Sequence, residues 1–321
     1  MARKNASSSY GGQTPSRQSG SRANRDPSDP AARSKPPAGR AEAGLYLVAT
    51  PIGNAADISR RALDIVSSAD VVACEDTRVS AKLMAIHGIA ARLTPYHEHN
   101  AAQVRPQLIE RLKRGETVAL IADAGTPLIS DPGYKLVRAC IDAELPVSAV
   151  PGPSSVLAAL LVSGLPTDRF MFAGFLPSRQ AARQKALQEL TAVPASLVFM
   201  ESTRRLARAL TDMADILGPR QAAVGRELTK LFEEVRRGPL DELAAYYDGA
   251  GAPKGEVTVV VAPPGEKAPA SDAEIDRRLA EALAVTSVRN AVQQVTAATG
   301  VSRRQVYARA LAIRKVRGSR P

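Results

Sequence analysis

Residues 117–133 read TVALIADAGTPLISDPG, and the way this stretch folds decides the architecture around it. Thr117–Ala122 is a short apolar run without polar alternation. That is the pattern of a strand buried on both faces, which belongs to parallel sheets covered by helices. The run ends at Asp123-Ala124-Gly125-Thr126-Pro127 and continues as a loop to Gly133. Asp123 then stands at the carboxyl edge of the strand. Gly125 permits a positive φ or a close backbone approach, while Pro127 and Pro132 stiffen the segment and reduce the entropy lost on binding. The loop is neither a GxGxxG nor a GxxxxGK[ST] sequence. Its residues alone support a rigid ligand-facing loop and a tight structural turn equally.

The strand-then-helix cadence extends both ways from this stretch. Upstream, Gly44–Thr50 is an apolar run stopped by Pro51-Ile52-Gly53-Asn54. A helical pattern over Ser59–Ser68 follows, then the run Val71–Cys74, a helix near Ser80–His87, a loop at Thr94–Asn100 and a helix over Ala101–Arg114. Downstream come a helix at Tyr134–Ala143, a strand at Pro146–Val150 stopped by Pro151-Gly152-Pro153, and a helix at Ser154–Ser163. Regular alternation of this kind predicts an α/β domain with a mainly parallel sheet. Beyond it, strands at Phe170–Phe175, Ser196–Glu201, Gln221–Glu227, Phe232–Gly238 and Glu256–Ala262, with helices at Arg179–Leu190, Arg204–Leu217 and Pro239–Tyr247, predict a second α/β domain with a mixed sheet. Ser202 or Thr203 is expected to cap the helix that Arg204 and Arg205 open.

The expected boundaries are a tail at 1–43, α/β domains at 44–151 and 152–265, and a helical extension at 272–316. The extension reads as three short helices, with Ser287 and Ser302 as caps and Gly300 as a break. That outline fits a helix-turn-helix and an ordinary small bundle alike.

The 321 residues suffice for two domains with their own cores. The two cysteines, Cys74 and Cys140, lie in apolar runs without CxxC or His-rich spacing, so neither a disulfide framework nor a zinc site is indicated. No apolar run reaches the roughly 18–20 residues that span a bilayer. The N-terminal segment lacks an apolar h-region and reads as an unstructured cytoplasmic tail. The net charge of +11 is concentrated at the ends: residues 1–43 carry eight basic side chains against three acidic ones, and residues 272–321 carry ten against four. A neutral body with basic arms suits a polyanionic partner such as nucleic acid. Tails that serve only solubility give the same composition.

Five segments in order carry a resemblance: Leu45–Asn54, Glu75-Asp76-Thr77-Arg78, Tyr96-His97-Glu98-His99-Asn100, Asp123–Gly133 and Val150–Ser155. Together they resemble the tetrapyrrole methylase superfamily, and within it the RsmI branch of 16S rRNA (cytidine-2′-O)-methyltransferases. The likeness covers about residues 44–262, and the C-terminal helices match that branch's extension. It implies two class III methyltransferase-type α/β domains with S-adenosylmethionine in the cleft between them, and a cytoplasmic homodimer. It also implies methylation of a cytidine ribose in the decoding centre of 16S rRNA within the 30S subunit. The cofactor residues it implies are Pro51, Asp123, Gly125, Thr126, Pro127, Ser130, Pro151, Ser154 and Ser155, with further contacts near Phe199–Glu201 and Glu256–Thr258. Tetrapyrrole-modifying members have Gly-Asp-Pro in the third loop where this chain has Gly125-Thr126-Pro127, a departure that favours the RNA branch. The alternatives are a tetrapyrrole or other small-molecule methylase and a non-enzymatic RNA-binding assembly protein.

Transfer of a methyl group from a sulfonium to a ribose hydroxyl needs collinear positioning and a proton acceptor. His97, Glu98 and Asp76 are the candidates for that acceptor, with His99 beside them. His97 and His99 are two of only three histidines in the chain. The His-Glu-His run is equally an internal hydrogen-bonding cluster, and as a metal set it is rejected because adjacent ligands rarely form a compact site. Arg78 is expected to hold an RNA phosphate, and Arg303, Arg304 and Arg309 to contact RNA from the C-terminal helices. Arg204 and Arg205 admit both an RNA-contacting and a solvated reading.

Overall fold

The computed structural model describes residues 41–265 and 271–318; the tail expected at 1–43 lies almost wholly outside them. The first sheet comprises β1 (Gly44–Val48), β2 (Val71–Cys74), β3 (Leu93–Pro95), β4 (Thr117–Ile121) and β5 (Val147–Val150), ordered β3-β2-β4-β1-β5. Every pairing in it is parallel. The interior strands β2 and β4 are buried along their whole length because both faces are covered, whereas the edge strands β3 and β5 are partly exposed. On one face Leu45, Val71, Ala73, Val118 and Leu120 meet Leu108 and Leu112 of α3 (Ala101–Lys113) and Leu136 and Cys140 of α4 (Tyr134–Asp142). On the other, Val48, Val72, Cys74, Ala119 and Ile121 meet Ala62 and Val66 of α1 (Arg60–Ser68) and Met84 of α2 (Thr77–Ile86). Cys74 and Cys140 are both buried thiols, one on each face.

The second sheet is mixed. Its order is β6-β7-β10-β8-β9, from β6 (Phe170–Phe175), β7 (Ser196–Ser202), β8 (Gln221–Arg226), β9 (Glu234–Pro239) and β10 (Glu256–Val261). Only β6 and β7 run parallel; β10 pairs antiparallel with β7 and β8, and β9 antiparallel with β8. One face packs on α6 (Gln180–Leu190), α7 (Leu206–Leu217) and α8 (Leu240–Ala250). The other is covered by Val156, Ala159 and Leu160 of α5 (Ser155–Ser163), and Ile52 from the loop after β1 joins this cluster. A residue of the first half is thus part of the second half's core.

Three further helices, α9 (Asp272–Val285), α10 (Val288–Thr299) and α11 (Arg303–Gly318), enclose their own core of Ile275, Leu279, Val292, Val295, Val306 and Ala310. Ser287 accepts from Asn290 N, and Gly300 closes α10 in the left-handed region, as the sequence requires.

Three local expectations fail. The loop expected at Thr94–Asn100 begins with a short edge strand, β3, too brief to show a period. The helix expected near Ser80 starts at Thr77, because Asp76 accepts a hydrogen bond from Arg78 N and so caps it three residues earlier. Neither Ser202 nor Thr203 caps α7. Instead a 3₁₀ turn at Thr203–Arg205 leads into it, and Glu201 Oε1 takes the Ser202 N–H at 2.6 Å.

Candidate active site

Strands β4 and β1 are neighbours in the interior of the first sheet, and their onward connections run in opposite directions, β1's past β4 to β2 and β4's past β1 to β5. The carboxyl ends of such a pair open the crevice of an open α/β sheet. The two loops that leave it are fastened together. Thr50 and Gly125 form an antiparallel bridge, Thr50 N to Gly125 O at 2.9 Å and Gly125 N to Thr50 O at 3.1 Å. Gly125 has φ +81°, and a Cβ there would lie 3.3 Å from Ile52 Cγ2, so the position needs glycine for conformation and space alike. Thr126 Oγ1 donates to Pro153 O at 3.1 Å, which ties in the loop after β5.

The loop after β1 also reaches the second half. Asn54 N donates to Thr229 Oγ1 at 3.2 Å, and the Lys230 stem lies so close over Gly53 that a Cβ would come within 2.4 Å of Lys230 Cγ. Lys230 Nζ is fixed in turn by Glu227 Oε1 at 2.9 Å and Glu256 Oε2 at 3.0 Å.

Between these halves lies a cavity of about 680 Å³, within the usual range for a small-molecule site. Ile52, Ala124, Ile129, Ser130 and Asp131 line it from the first half. Ser155, Met200, Glu201, Arg204, Gly225, Leu228 and Glu256–Thr258 line it from the second. Its walls are mostly apolar, with a few polar groups among them. Glu201 is one: its side chain is 1 % exposed, and Oε1 takes Arg205 Nε at 2.8 Å and Nη2 at 2.6 Å. Its Oε2 is buried with no hydrogen-bond partner among the described residues. An unpaired buried acceptor is unfavourable by about 1–3 kcal/mol, and a donor entering the cavity would relieve that penalty.

Residues 44–244 match the family model described as Tetrapyrrole (Corrin/Porphyrin) Methylases. The chain belongs to the tetrapyrrole methylase family. Residues 269–314 of this methylase match a second model, the RsmI C-terminal HTH domain. A protein of Mesorhizobium japonicum named Ribosomal RNA small subunit methyltransferase I is 52 % identical over 88 % of this chain and 96 % of its own. One of the same name from Escherichia coli O157:H7 is 42 % identical over 83 % and 94 %. Among solved structures, a diphthine synthase superposes with TM-score 0.54 at 18 % identity, covering 68 % of this chain and 89 % of its own. A cobalt precorrin-4 methyltransferase gives 0.50 at 16 %, covering 68 % and 94 %. The last two show the shared fold.

The methylase distributes its sequence-predicted residues unevenly. Ser130 and Ser155 lie on the cavity wall, as do Met200, Glu201 and Glu256–Thr258. Gly125, Pro127 and Pro51 are buried and do not line the cavity. Thr126 braces it, and Ser154 caps α5 by accepting from Leu157 N. Pro151 is exposed. Asp123 accepts the backbone N–H of Asp76 at 3.0 Å, so it joins the loops after β4 and β2.

The three expected proton acceptors need correction. Asp76 is consumed by Arg78, whose Nε and Nη2 fork onto its carboxylate at 3.0 and 2.6 Å. That guanidinium, with the Arg78 N–H, holds the Asp76 carboxyl down at about 2, which makes it a feeble base at neutral pH. His97 and Glu98 follow the edge strand β3 and are absent from the cavity wall. They belong to a closed turn in which Asn100 Oδ1 accepts from His97 N and Asn100 Nδ2 donates to Pro95 O.

Among the arginines, Arg205 is engaged by Glu201 and Leu176 O while Arg204 lines the cavity. Arg309 braces α11 against α9 through Asp276 and Asp272, so its guanidinium is already occupied. Arg303 and Arg304 are exposed on α11, and Arg78, though paired, is exposed as well.

One cavity residue, Asp131, went unremarked in the sequence. Burial, followed by the nearby charges of Glu75 and Asp123, pushes its carboxyl up to about 6. Nothing in the local sequence announces this, because Glu75 comes from the end of a different strand.

Proposed function

We propose that this methylase transfers the methyl group of S-adenosylmethionine to the 2′-hydroxyl of a cytidine ribose in the decoding centre of 16S rRNA. It would act on the 30S subunit in the cytoplasm. The observation that carries the reading is the pairing of the methylase cleft with a C-terminal helical module of the RsmI type, in relatives named for small-subunit rRNA and matched over nearly their whole length. The charge supports it too, since the basic excess lies at the two ends and not in the body.

The cleft suits the cofactor chemically. The unpaired Glu201 Oε2 offers an acceptor to an ammonium or ribose hydroxyl, and Ile52, Leu228 and Val257 offer apolar walls to a base. When bound, S-adenosylmethionine supplies the electrophilic methyl group. The protein holds donor and acceptor in line across the cleft and excludes water, and positioning of this kind supplies much of the rate. The bridge from Thr50 to Gly125 and the contact of Asn54 with Thr229 keep the two walls in register for it. Arg303 and Arg304 on α11 are assigned to RNA phosphates, as is the exposed edge of Arg78.

A homodimer belongs to the same proposal. Helix α5 leaves Leu161 75 % exposed on the side away from the second sheet, and the connection between β8 and β9 leaves Leu231 90 % exposed. Exposed apolar surface of this kind fits a second copy better than it fits RNA.

The test is incubation of the full-length protein with labelled S-adenosylmethionine and 30S subunits from a strain lacking it, followed by mass spectrometry of the rRNA nucleosides. The expected product is 2′-O-methylcytidine. Methyl transfer only to a porphyrinoid acceptor, or none to RNA, overturns the reading.

A further inference from the structure

The acceptor hydroxyl needs a group to take its proton, and the carboxylates around the cleft differ sharply in their freedom to do so. Glu201 is held by Arg205 and Glu256 by Lys230. Asp123 accepts the Asp76 N–H, and Asp76 is forked by Arg78. Asp131 alone among the cavity-lining carboxylates has no hydrogen bond or ion pair with any described residue. It is half-buried, with the carboxylates of Glu75 and Asp123 acting on it from its own side. From the opposite wall the charged groups on the cavity are Arg204, Glu201 and Glu256.

The backbone that delivers Asp131 is specialised as well. Leu128 (φ +73°) and Ser130 (φ +66°) are both non-glycine residues in the left-handed region, on either side of Ile129. Each such residue is unfavourable for an L side chain and persists only where the surroundings impose it, which is typical of active sites. Here the imposition comes from the Thr50–Gly125 bridge and the Thr126–Pro153 hydrogen bond upstream.

We propose that Asp131 is the general base of the reaction, the group that takes the proton from the acceptor hydroxyl as the methyl group arrives. The assignment rests on the reading of that acceptor as a ribose 2′-hydroxyl. In the step, the hydroxyl oxygen forms the new O–C bond and the S–C bond breaks. The S–C electron pair stays on sulfur, leaving the neutral thioether S-adenosylhomocysteine. The hydroxyl proton passes to an Asp131 carboxylate oxygen and from there to solvent. An unpaired carboxylate is suited to this, because no cation has to be given up when it becomes neutral. Its raised proton affinity, about 6, brings it nearer to neutrality than an ordinary carboxylate while leaving it mostly ionised at pH 7. His97 and Glu98, on their separate turn, do not line the cavity.

The test uses full-length Asp131→Asn and Asp131→Glu variants, with calorimetry for S-adenosylmethionine affinity and single-turnover methylation of 30S subunits between pH 5 and 8. Asp131→Asn is expected to hold cofactor affinity within about threefold while the transfer rate at pH 7 falls by about 100-fold or more, the usual worth of a general base. The wild-type rate is expected to rise with pH through a midpoint near 6, the rise vanishing in Asp131→Asn and surviving at reduced rate in Asp131→Glu. An Asn variant that transfers within a few-fold of wild type overturns the assignment. So does a wild-type profile flat from pH 5 to 8, a measurement that needs no variant to fold. Wild-type protein that binds cofactor but leaves RNA unmodified refutes instead the ribose reading on which the assignment rests.

Discussion

Two loops leave the carboxyl edge of the same parallel sheet, and only one of them reaches the cleft. The loop after β4 leaves from the interior of the sheet, where chain direction diverges, and contributes Ala124 and Ile129–Asp131 to the cavity. The His-Glu-His-Asn turn leaves from the edge strand β3, two strands away from β4. Asn100 ties its backbone together, His97 Nδ1 stays buried without a partner among the described residues, and none of its residues is on the cavity wall. The turn has the richer set of acid–base side chains. The β4 loop offers the cavity one aspartate, Asp131, and a strained backbone. Position in the sheet, rather than the chemical reputation of the residues, decides which loop faces a ligand.

The contrast is broken most severely at Gly125. Gly125→Val puts a β-branched residue at φ +81°, with its Cβ 3.3 Å from Ile52 Cγ2, and so opposes the bridge to Thr50. Strain of about 2–3 kcal/mol follows, and if the cofactor must re-impose the bridge, its affinity falls by roughly 30- to 150-fold. Calorimetric titration with S-adenosylmethionine measures this; an unchanged affinity would show that the bridge is incidental to the site. Glu98→Gln, the matching control in the exposed turn, is expected to leave the affinity within about twofold.

A smaller effect separates the turn's structural role from a functional one. Asn100→Ala removes the acceptor of His97 N and the donor to Pro95 O, at 2.9 Å each. Both bonds are partly solvated, so the expected loss is about 1–2 kcal/mol of stability, or a fall of a few degrees in melting temperature, with cofactor affinity unchanged. A loss of affinity without a loss of stability would bring the turn into the site after all.

Legibility in the sequence follows the same division. Helices α1, α3 and α4 and strands β1, β2 and β4 announce themselves, because burial on both sheet faces makes the apolar runs continuous and Ser or Gly marks most ends; the edge strand β5 is marked instead by the Pro151-Gly152-Pro153 stop. The five motifs make the family recognisable, and Met200–Glu201 and Glu256–Thr258, expected from the resemblance near the cofactor, line the cavity. What the sequence hides is pairing at long range. Thr50 meets Gly125, Asp123 meets Asp76 N, and Glu75 acts on Asp131; none of these partners is a chain neighbour. Asp76 and Arg78 read separately as a base and a phosphate ligand, whereas in the fold the guanidinium two residues on engages the carboxylate. Arg309 likewise reads as an RNA contact from the sequence, whereas Asp276 on another helix engages its guanidinium.

The smallest predicted effect bears on the β4 loop as a place where stability yields to function. Asp131 has its folded proton affinity raised, to about 6 from an ordinary value of 3.8. For an acid shifted this way the folded state prefers the protonated form. Whatever stability this preference confers is present below about pH 4 and is lost as pH rises from there through about 6. At neutral pH the ionised group therefore opposes folding, and an uncharged amide in its place does not. Because the side chain is only half-buried, solvent screening reduces the full linkage value, leaving about 1 kcal/mol. Asp131→Asn is thus expected to melt roughly 2–4 °C higher than wild type at pH 7.5, and the gap is expected to close as the pH is lowered to 4. Scanning calorimetry of the cofactor-free protein at the two values checks it. A variant less stable than wild type at pH 7.5 would mean that the carboxylate makes a stabilising contact, and Asp131 would then belong with the hydrogen-bonded residues of the edge turn rather than with the strained loop that faces the cleft.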